Sequence, residues 1–375
     1  MRLFDNLNIN FLGKRKIAYI VSSLFIILSI ISFIIRGFEY GIDFKGGLEI
    51  AFDFEKPIKI SELRELSKKW EVGKIELKTF GGETGVLLRT DELSLSQKSA
   101  SLLKEKILSY IKDIPFEPID TTFSTLIISF SNVSDTRLAT EILTSKGFQV
   151  TNYFEDETEK TISVRIGIAE WIKEQLMEQV PDNKFTVLKE EMVGPKIGEE
   201  LKRDAFFAIL FSLIVILVYL GFRFKFIFAI GAVVALFHDV IITLGLFSLF
   251  YGVFPGLNLE INLTVIAAFL TLVGYSINDT VVVFDRIREY FKIHKTLAPE
   301  IVMNNAINRT MNRTILTSLT TLITVIILLI FGGEVLRTFA FTLFFGILIG
   351  TYSSIFIASA LALDYAKKNK KSLMF

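Results

Sequence analysis

The chain has 375 residues, of which 51% are hydrophobic and 13% aromatic, with 36 Phe and a mean hydropathy of +0.51. That apolar excess excludes an ordinary soluble globular protein and points to the membrane class. A net charge of +1 offers nothing to draw nucleic acid, the lack of Cys excludes disulfides and thiolate sites, and two His, His238 and His294, argue against a His-rich metal centre, so no metal is expected.

In chain order, Lys14, Arg15 and Lys16 close a short N-terminal segment, 1–16, and precede an apolar run at 17–35. The run reaches the ~20 residues that one crossing needs, and its exit, Arg36-Gly37-Phe38, lacks a small-residue cleavage pattern. It reads as a retained anchor, 17–36. Gly41-Ile-Asp-Phe-Lys-Gly-Gly47 then opens a long mixed segment, 37–204, in which two βαββαβ patterns follow in tandem. The first module, 37–120, places strands at 48–54, 74–80, 86–90 and near Phe116, with helices at 61–70 and 95–111. The second, 121–197, places strands at 125–130, 148–154, 161–166 and 185–190, with helices at 134–145 and 169–179. Ser61 and Ser134 read as helix caps, and Gly81-Gly82 and Glu155-Asp156 as hairpin turns. The pattern predicts two tandem ferredoxin-like α+β modules, with a single larger α+β domain as the alternative. Gly194-Pro195 breaks the last strand and reads as a hinge into the second span.

Five more apolar runs, 205–222, 226–251, 261–284, 315–331 and 339–363, make an α-helical membrane protein of six spans. Between the fourth and fifth, 285–314 reads as a loop with an interfacial amphipathic helix over 298–312, and the basic tail, 364–375, as an anchor on anionic lipid. Lys and Arg gather in the N-terminal segment, at Arg223 and Lys225, across 285–314 and in the tail. The opposite short loops, 252–260 and 332–338, carry only Arg337. This asymmetry predicts cytoplasmic termini and an outer segment on the far side of the membrane.

Three charged positions fall at or near membrane depth. Asp279 lies in the apolar fourth run, with Asn278 and Ser276 beside it to hydrogen-bond its carboxyl and Gly274 one turn earlier to admit a neighbouring helix. Such a residue reads by default as a proton carrier, ion ligand or partner of a buried cation; the plainer reading is a structural contact between helices. His238 and Asp239 interrupt the third run and read equally as a relay or polar hinge and as a satisfied hydrogen bond between helices. Arg313, at the head of the fifth run and on one helical face with Arg309, either snorkels to the interface or reaches Asp279 when that carboxyl is ionised. An exchange of that kind turns an ion pair into an unpaired cation and biases a two-state helix arrangement. No soluble-enzyme constellation emerges: Gly81-Gly82-Glu83-Thr84-Gly85 has no strand-to-helix phosphate loop around it.

The run Val273-Gly-Tyr-Ser-Ile-Asn-Asp-Thr-Val-Val-Val-Phe-Asp-Arg-Ile-Arg-Glu289 resembles the fourth-span signature of the SecF family of bacterial protein-export membrane subunits. Gly41, Asp43, Gly46 and Gly47 match that family's motif after the first span, and His238-Asp-Val-Ile-Ile-Thr243 and Asn308-Arg-Thr-Met-Asn-Arg-Thr-Ile-Leu-Thr-Ser318 fit its third and fifth spans. The resemblance implies half of a resistance-nodulation-division type complex in the bacterial inner membrane. SecD and the SecYEG translocon are its implied partners, with YajC and YidC as further ones, and an unfolded polypeptide is its cargo. A proton gradient would drive it in place of a cofactor, with Asp279 and Arg313 as the proton-pathway pair and no enzymatic activity. The outer segment is expected to exceed the single small module of that family. Rival functions are a small-molecule exporter of the same superfamily, an intramembrane aspartyl protease using Asp239 and Asp279, and a structural scaffold of the translocon.

Overall fold

The computed structural model describes residues 8–121, 124–152, 159–254 and 257–368. After a 3-10 turn at Leu12–Lys14, the elements are α1 (Arg15–Arg36), α2 (Ile42–Lys45), β1 (Gly47–Phe54), α3 (Ile60–Ser67), β2 (Ile75–Thr79), β3 (Gly85–Thr90), α4 (Gln97–Tyr110), β4 (Phe116–Thr121) and β5 (Thr125–Phe130). There follow α5 (Val133–Ser145), β6 (Val150–Asn152), β7 (Thr161–Arg165), α6 (Ile168–Gln179), β8 (Phe185–Val193), α7 (Pro195–Arg223), α8 (Phe226–Phe250) and α9 (Leu263–Ile293). The last described elements are α10 (Pro299–Phe331), α11 (Gly333–Ser353), a π-helical turn (Ser354–Ala358) and α12 (Ser359–Lys368). Two units result, Met1–Asp43 with Glu200–Phe375, and Phe44–Glu199.

Among the described residues the first unit holds six helices long and apolar enough to cross a membrane, and the chain is an integral membrane protein. Between such helices apolar side chains gain little over lipid, so close approach depends on small residues and on hydroxyl groups. Accordingly α1 turns Ser22, Ser29 and Ser32 inward and leaves Ile20 and Ile34 outside. Ser32 bonds Ser248 at 2.7 Å, and a Cβ added at Gly245 would lie 1.9 Å from Ser29 Oγ. Arg36 then donates to the Leu249 and Tyr251 carbonyls, both at 2.7 Å, where the C-terminal end of the α8 dipole favours a cation. The motif residues Gly41 and Asp43 secure the start of α9: Gly41 N donates to Ile261 O at 2.9 Å, and Asp43 Oδ2 accepts from Leu263 N at 2.8 Å.

Two boundaries differ from the sequence expectation. The loop expected over 285–314 shrinks to 294–298, and no separate interfacial helix covers 298–312, because α10 begins with Pro299 in its first turn and meets no breaker before Phe331. Its stripe Val302, Met303, Ala306, Ile307 is fully buried. Asn304 and Asn308 bind the backbone of Ile9 and Phe11 at 2.8–2.9 Å, which straps the N-terminal segment to this half of α10. Likewise α7 begins at Pro195, directly after the strand, ten residues before the apolar run expected at 205–222.

In the second unit the strands form two antiparallel sheets, ordered β2-β3-β1-β8 and β4-β5-β7-β6. This pairing departs from two tandem modules divided at 120/121. β4 leaves the first range to pair with β5, and β8 leaves the second to pair with β1, Gly47 opposite Val193. β4 and β5 are separated by only three residues, so their pairing closes a short loop at little entropic cost. One apolar cluster then draws Leu48, Ile50 and Phe52 from one sheet and Leu126, Ile128 and Val164 from the other, which is the organisation of a single larger α+β domain. Trp171 Nε1 donates to the Trp70 carbonyl at 2.7 Å across the same core.

Smaller features follow local chemistry. Gly47 has φ +113 and lies so close to Thr90 O that a Cβ would sit 2.3 Å from it, a position that only glycine fills. The turn at Gly81-Gly82 joins β2 and β3 as expected, with Phe80 N donating to Gly85 O at 2.9 Å. The expected turn at Glu155-Asp156 lies outside the described residues. Ser61 and Ser134 are not the caps: Lys59 precedes α3 without a side-chain cap, and Asn132 caps α5 by accepting from Asp135 N at 2.8 Å.

Glu170, in the first turn of α6, is 1% exposed and, among the described residues, neither carboxyl oxygen has a hydrogen-bond partner. Arg165 Nε stands 3.9 Å away. Burial pushes the Glu170 carboxyl above its ordinary range, more than the nearby Arg165 and Lys173 charges pull it down. A raised folded-state value means that the protonated form suits the fold, so its contribution to stability is full at low pH and is lost as pH rises through that value. Glu170→Gln is therefore expected to raise the unfolding midpoint near pH ~8, by about 1–3 kcal/mol of stability, and to change it little near pH ~4. Thermal melts across that range check the sign.

Candidate functional site

Helix α8 is uncharged except where His238 and Asp239 fall on its buried side, 4% and 1% exposed. Desolvated charges at this depth require partners, and four helices supply them. His238 Nδ1 lies 2.9 Å from Asp239 Oδ1, and His238 Nε2 lies 3.0 Å from Ser22 Oγ on α1. The other oxygen, Asp239 Oδ2, accepts from Ser276 of α9 at 2.7 Å and from Ser353 of α11 at 2.8 Å. The α9–α11 approach is close enough that a Cβ on Gly350 would meet Ser276 at 3.1 Å.

Donor counting fixes the charge of this group. Tyr352 OH donates to the Ala18 carbonyl at 3.0 Å, so the Ser22 hydroxyl donates to Tyr352 OH at 3.1 Å and accepts from His238 Nε2–H. The contact between His238 Nδ1 and Asp239 Oδ1 then holds one proton. Whichever atom carries it, the pair is neutral overall, which suits its burial. Ser353 leads straight into the π-helical turn, closed by Ser359 Oγ donating to Ser354 O at 3.0 Å.

Asp279 is held differently. Three residues after Ser276 on α9 and 3% exposed, it receives a long hydrogen bond from Ser318 of α10 at 3.4 Å, and the Thr351 hydroxyl of α11 is near enough to act on it as well. Ser318 is also bonded to Thr351 of α11 at 2.8 Å. Arg313 is close enough for its charge to act on Asp279 but, among the described residues, forms no ion pair with it or with any other carboxylate. Ser318 lies five residues along α10 from Arg313, about 7.5 Å of rise, which sets the guanidinium toward the basic end of the bundle. There Arg313 lines a cavity of about 650 Å³ between α9 and α10 with Asn278, Asp285, Arg288, Lys292 and Arg309.

The structure thus brings Ser276, His238 and Asp239 into one network and places Asn278 and Arg313 on a cavity next to Asp279. The glycine motif lies apart from both. Gly41 and Asp43 hold the start of α9, sixteen residues and about 24 Å of helix from Asp279, Gly46 and Gly47 open β1, and Gly194 and Pro195 join β8 to α7. Sequence reasoning missed Ser22, Ser318, Thr351, Tyr352 and Ser353. Their signal was a hydroxyl inside an apolar run, which is ambiguous because many such hydroxyls, Thr320 and Thr324 among them, bond only their own helix. Among the described residues no cluster of His, Asp and Glu is arranged to hold a metal ion. The two aspartates share no hydrogen bond there either, which a proton-sharing protease dyad would need.

Comparison with known proteins places these features in a family. Residues 172–368 match the C-terminal region of the protein export membrane proteins SecD/SecF, and residues 31–58 match the SecD/SecF GG motif. The protein translocase subunit SecF of Rhodothermus marinus is 41% identical over 97% of this chain and 95% of its own length, and that of Calditerrivibrio nitroreducens 39% identical over 94% and 93%. Each alignment spans nearly the whole of both chains, so this chain as a whole is about as long as these relatives. The crystal structure of SecDF, a translocon-associated membrane protein from Thermus thermophilus, is similar at 32% identity with a TM-score of 0.68 over 98% of this chain. The chain spans 40% of the length of that structure's chain.

The contrast between the two carboxyls is measurable. Ser276→Ala and Ser353→Ala, which each remove a short hydrogen bond to Asp239, are expected to cost about 1.5–3 kcal/mol, and Ser318→Ala less than about 1 kcal/mol. Unfolding in detergent checks the ranking, and a Ser318→Ala loss equal to that of Ser353→Ala would contradict it.

Proposed function

The chain belongs to the SecF family of protein translocase subunits, and from that premise we propose that it converts the proton gradient into movement during late protein export, through protonation of Asp279 and release of Arg313. The observation that carries this reading is the unequal holding of the two buried carboxyls. Asp239 has a neutralising partner and two short hydrogen bonds from neighbouring helices, so its surroundings oppose any change. Asp279 is met only by hydroxyls, Ser318 at 3.4 Å and Thr351 nearby, and has within electrostatic reach the Arg313 guanidinium, which among the described residues pairs with no carboxylate. It is the carboxyl whose charge can change without dismantling the bundle.

When Asp279 is ionised, the Arg313 charge is drawn toward it. When Asp279 is protonated the attraction ends, and Arg313 returns to the cavity lined by Asn278 and Lys292. Each state favours a different placing of α10 against α9, and protons entering from one side and leaving to the other would drive the two in turn. Moving one charge through 100 mV supplies about 2.3 kcal/mol, which shifts a two-state equilibrium about fiftyfold. That suffices to bias a domain movement; it does not unfold a stable cargo at ~5–15 kcal/mol in one step.

The orientation drawn from Lys and Arg puts both termini in the cytoplasm of a bacterial inner membrane and residues 37–204 outside, with Gly194-Pro195 as the hinge that passes α7 movement outward. The name of the Thermus structure, SecDF, supports SecD as the companion half, and SecYEG, YajC and YidC complete the proposed assembly. No cofactor enters this scheme.

Asp279→Asn and Arg313→Ala are each expected to leave the chain assembled with its companion subunit while abolishing the part of export into membrane vesicles that depends on an imposed proton gradient. Native-like gradient dependence in Asp279→Asn would favour the scaffold reading instead.

A further inference from the structure

β8 is an edge strand of nine residues, paired on one side with β1 and, among the described residues, on the other with no strand. Among the described residues, its backbone groups facing away from β1 have no hydrogen-bond partner. Natural proteins blunt such edges with charge, bulges or covering loops, because an open edge pairs with any extended chain. Here the Val193 end follows that rule, with Lys189, Glu190 and Glu191 in succession. The Phe185 end carries no charge: Thr186, Val187 and Leu188 are exposed, the last two at 39% and 57%. It does carry a bulge, because the register shift against β1 leaves Leu188 as an extra residue between the paired Val187 and Lys189.

This uncharged stretch borders a cleft of about 870 Å³ inside the second unit. Met177 of α6 and Val180 just after it form its apolar part with Phe185 and Val187, and the turn from Lys146 to Gln149 faces them. The cleft is braced at both ends. At one, Glu190 is held by Lys173 at 2.6 Å, with Lys173 itself 6% exposed, and by Arg165 at 3.3 Å. At the other, Asn183 bonds the backbone N and O of Lys56, both at 2.9 Å. It therefore stands open without a closing movement.

We propose that this cleft binds an extended segment of the polypeptide in transit, added as a further strand against Thr186–Leu188 of β8. The proposal rests on the translocase reading above and gives its cargo a place. An unpaired strand edge is complementary to an extended backbone, a more specific demand than an apolar patch makes. Main-chain pairing is also indifferent to cargo sequence, as a transporter of many polypeptides requires. Met177 suits the same need, since its flexible thioether packs against side chains of varied shape. Lys146 and Lys184 on the rim add an attraction for acidic cargo residues.

The test uses the full chain, with its companion subunit, in membrane vesicles that hold a secretory polypeptide arrested in transit. A photoreactive residue is placed at Val187, at Leu188, and as a control at Leu102, which is 45% exposed on α4. Adducts with the arrested chain are expected from Val187 and Leu188 but not Leu102, and Thr186→Glu, which charges the open edge without touching the core, is expected to reduce the Val187 adduct severalfold. Adducts only with a second copy or with another membrane subunit, or no adduct, would overturn the site. Because occupancy is read separately from the gradient, the two proposals fail separately. Cargo adducts with export indifferent to Asp279→Asn keep the site and sink the proton reading; gradient-driven export without cargo adducts does the reverse.

Discussion

A carboxyl group in an apolar bundle has to be neutralised or hydrogen-bonded, because its desolvation is not repaid by packing. Two aspartates on adjacent helices meet that demand in opposite ways. Asp239 draws α1, α9 and α11 onto α8 through itself and His238, and so fixes the positions of the very helices that carry Asp279 and Thr351. Asp279, met by the hydroxyls of Ser318 and Thr351, stands on a frame that the first aspartate holds in place, and the change of charge proposed for it depends on such a frame.

The rest of the bundle serves the same end. Serines and glycines where α1 meets α8 and where α9 meets α11 allow short hydroxyl bonds that bulky side chains would prevent, and the apolar residues they displace face outward. At the basic end, Arg15 binds Glu300 at 2.8 Å and Asp364 at 2.9 Å, while Lys367 binds Glu300 at 2.6 Å, joining α1, α10 and α12. Together with the Ile9 strap on Asn304 and Asn308, these contacts anchor one end of the helix that bears Arg313.

Much of this was legible in the sequence because hydropathy and charge act locally. Six spans, the isolated Asp279 and the Arg309–Arg313 face need no knowledge of neighbours. Strand exchange between the two sheets was not legible, since β4 and β8 have equivalent patterns and only the three-residue gap between β4 and β5 decides which pairs where. The extent of α10 was hidden for a related reason: its polar half, 299–312, looks interfacial until Asn304 and Asn308 are seen to bind backbone. The hydroxyls of Ser22, Ser353 and Tyr352 were unreadable because their role depends on three other helices.

Since the chain has no Cys, two spin labels can be introduced without background, at Glu289 near the end of α9 and at Asn305 in the first half of α10, both exposed. The distance between them in lipid, followed from about pH 5 to pH 8, addresses the central claim directly. Two populations that exchange with pH in the native chain, collapsing to one pH-independent population in Asp279→Asn, is the result this account predicts. A distance that ignores pH, or one that shifts equally in Asp279→Asn, would contradict it.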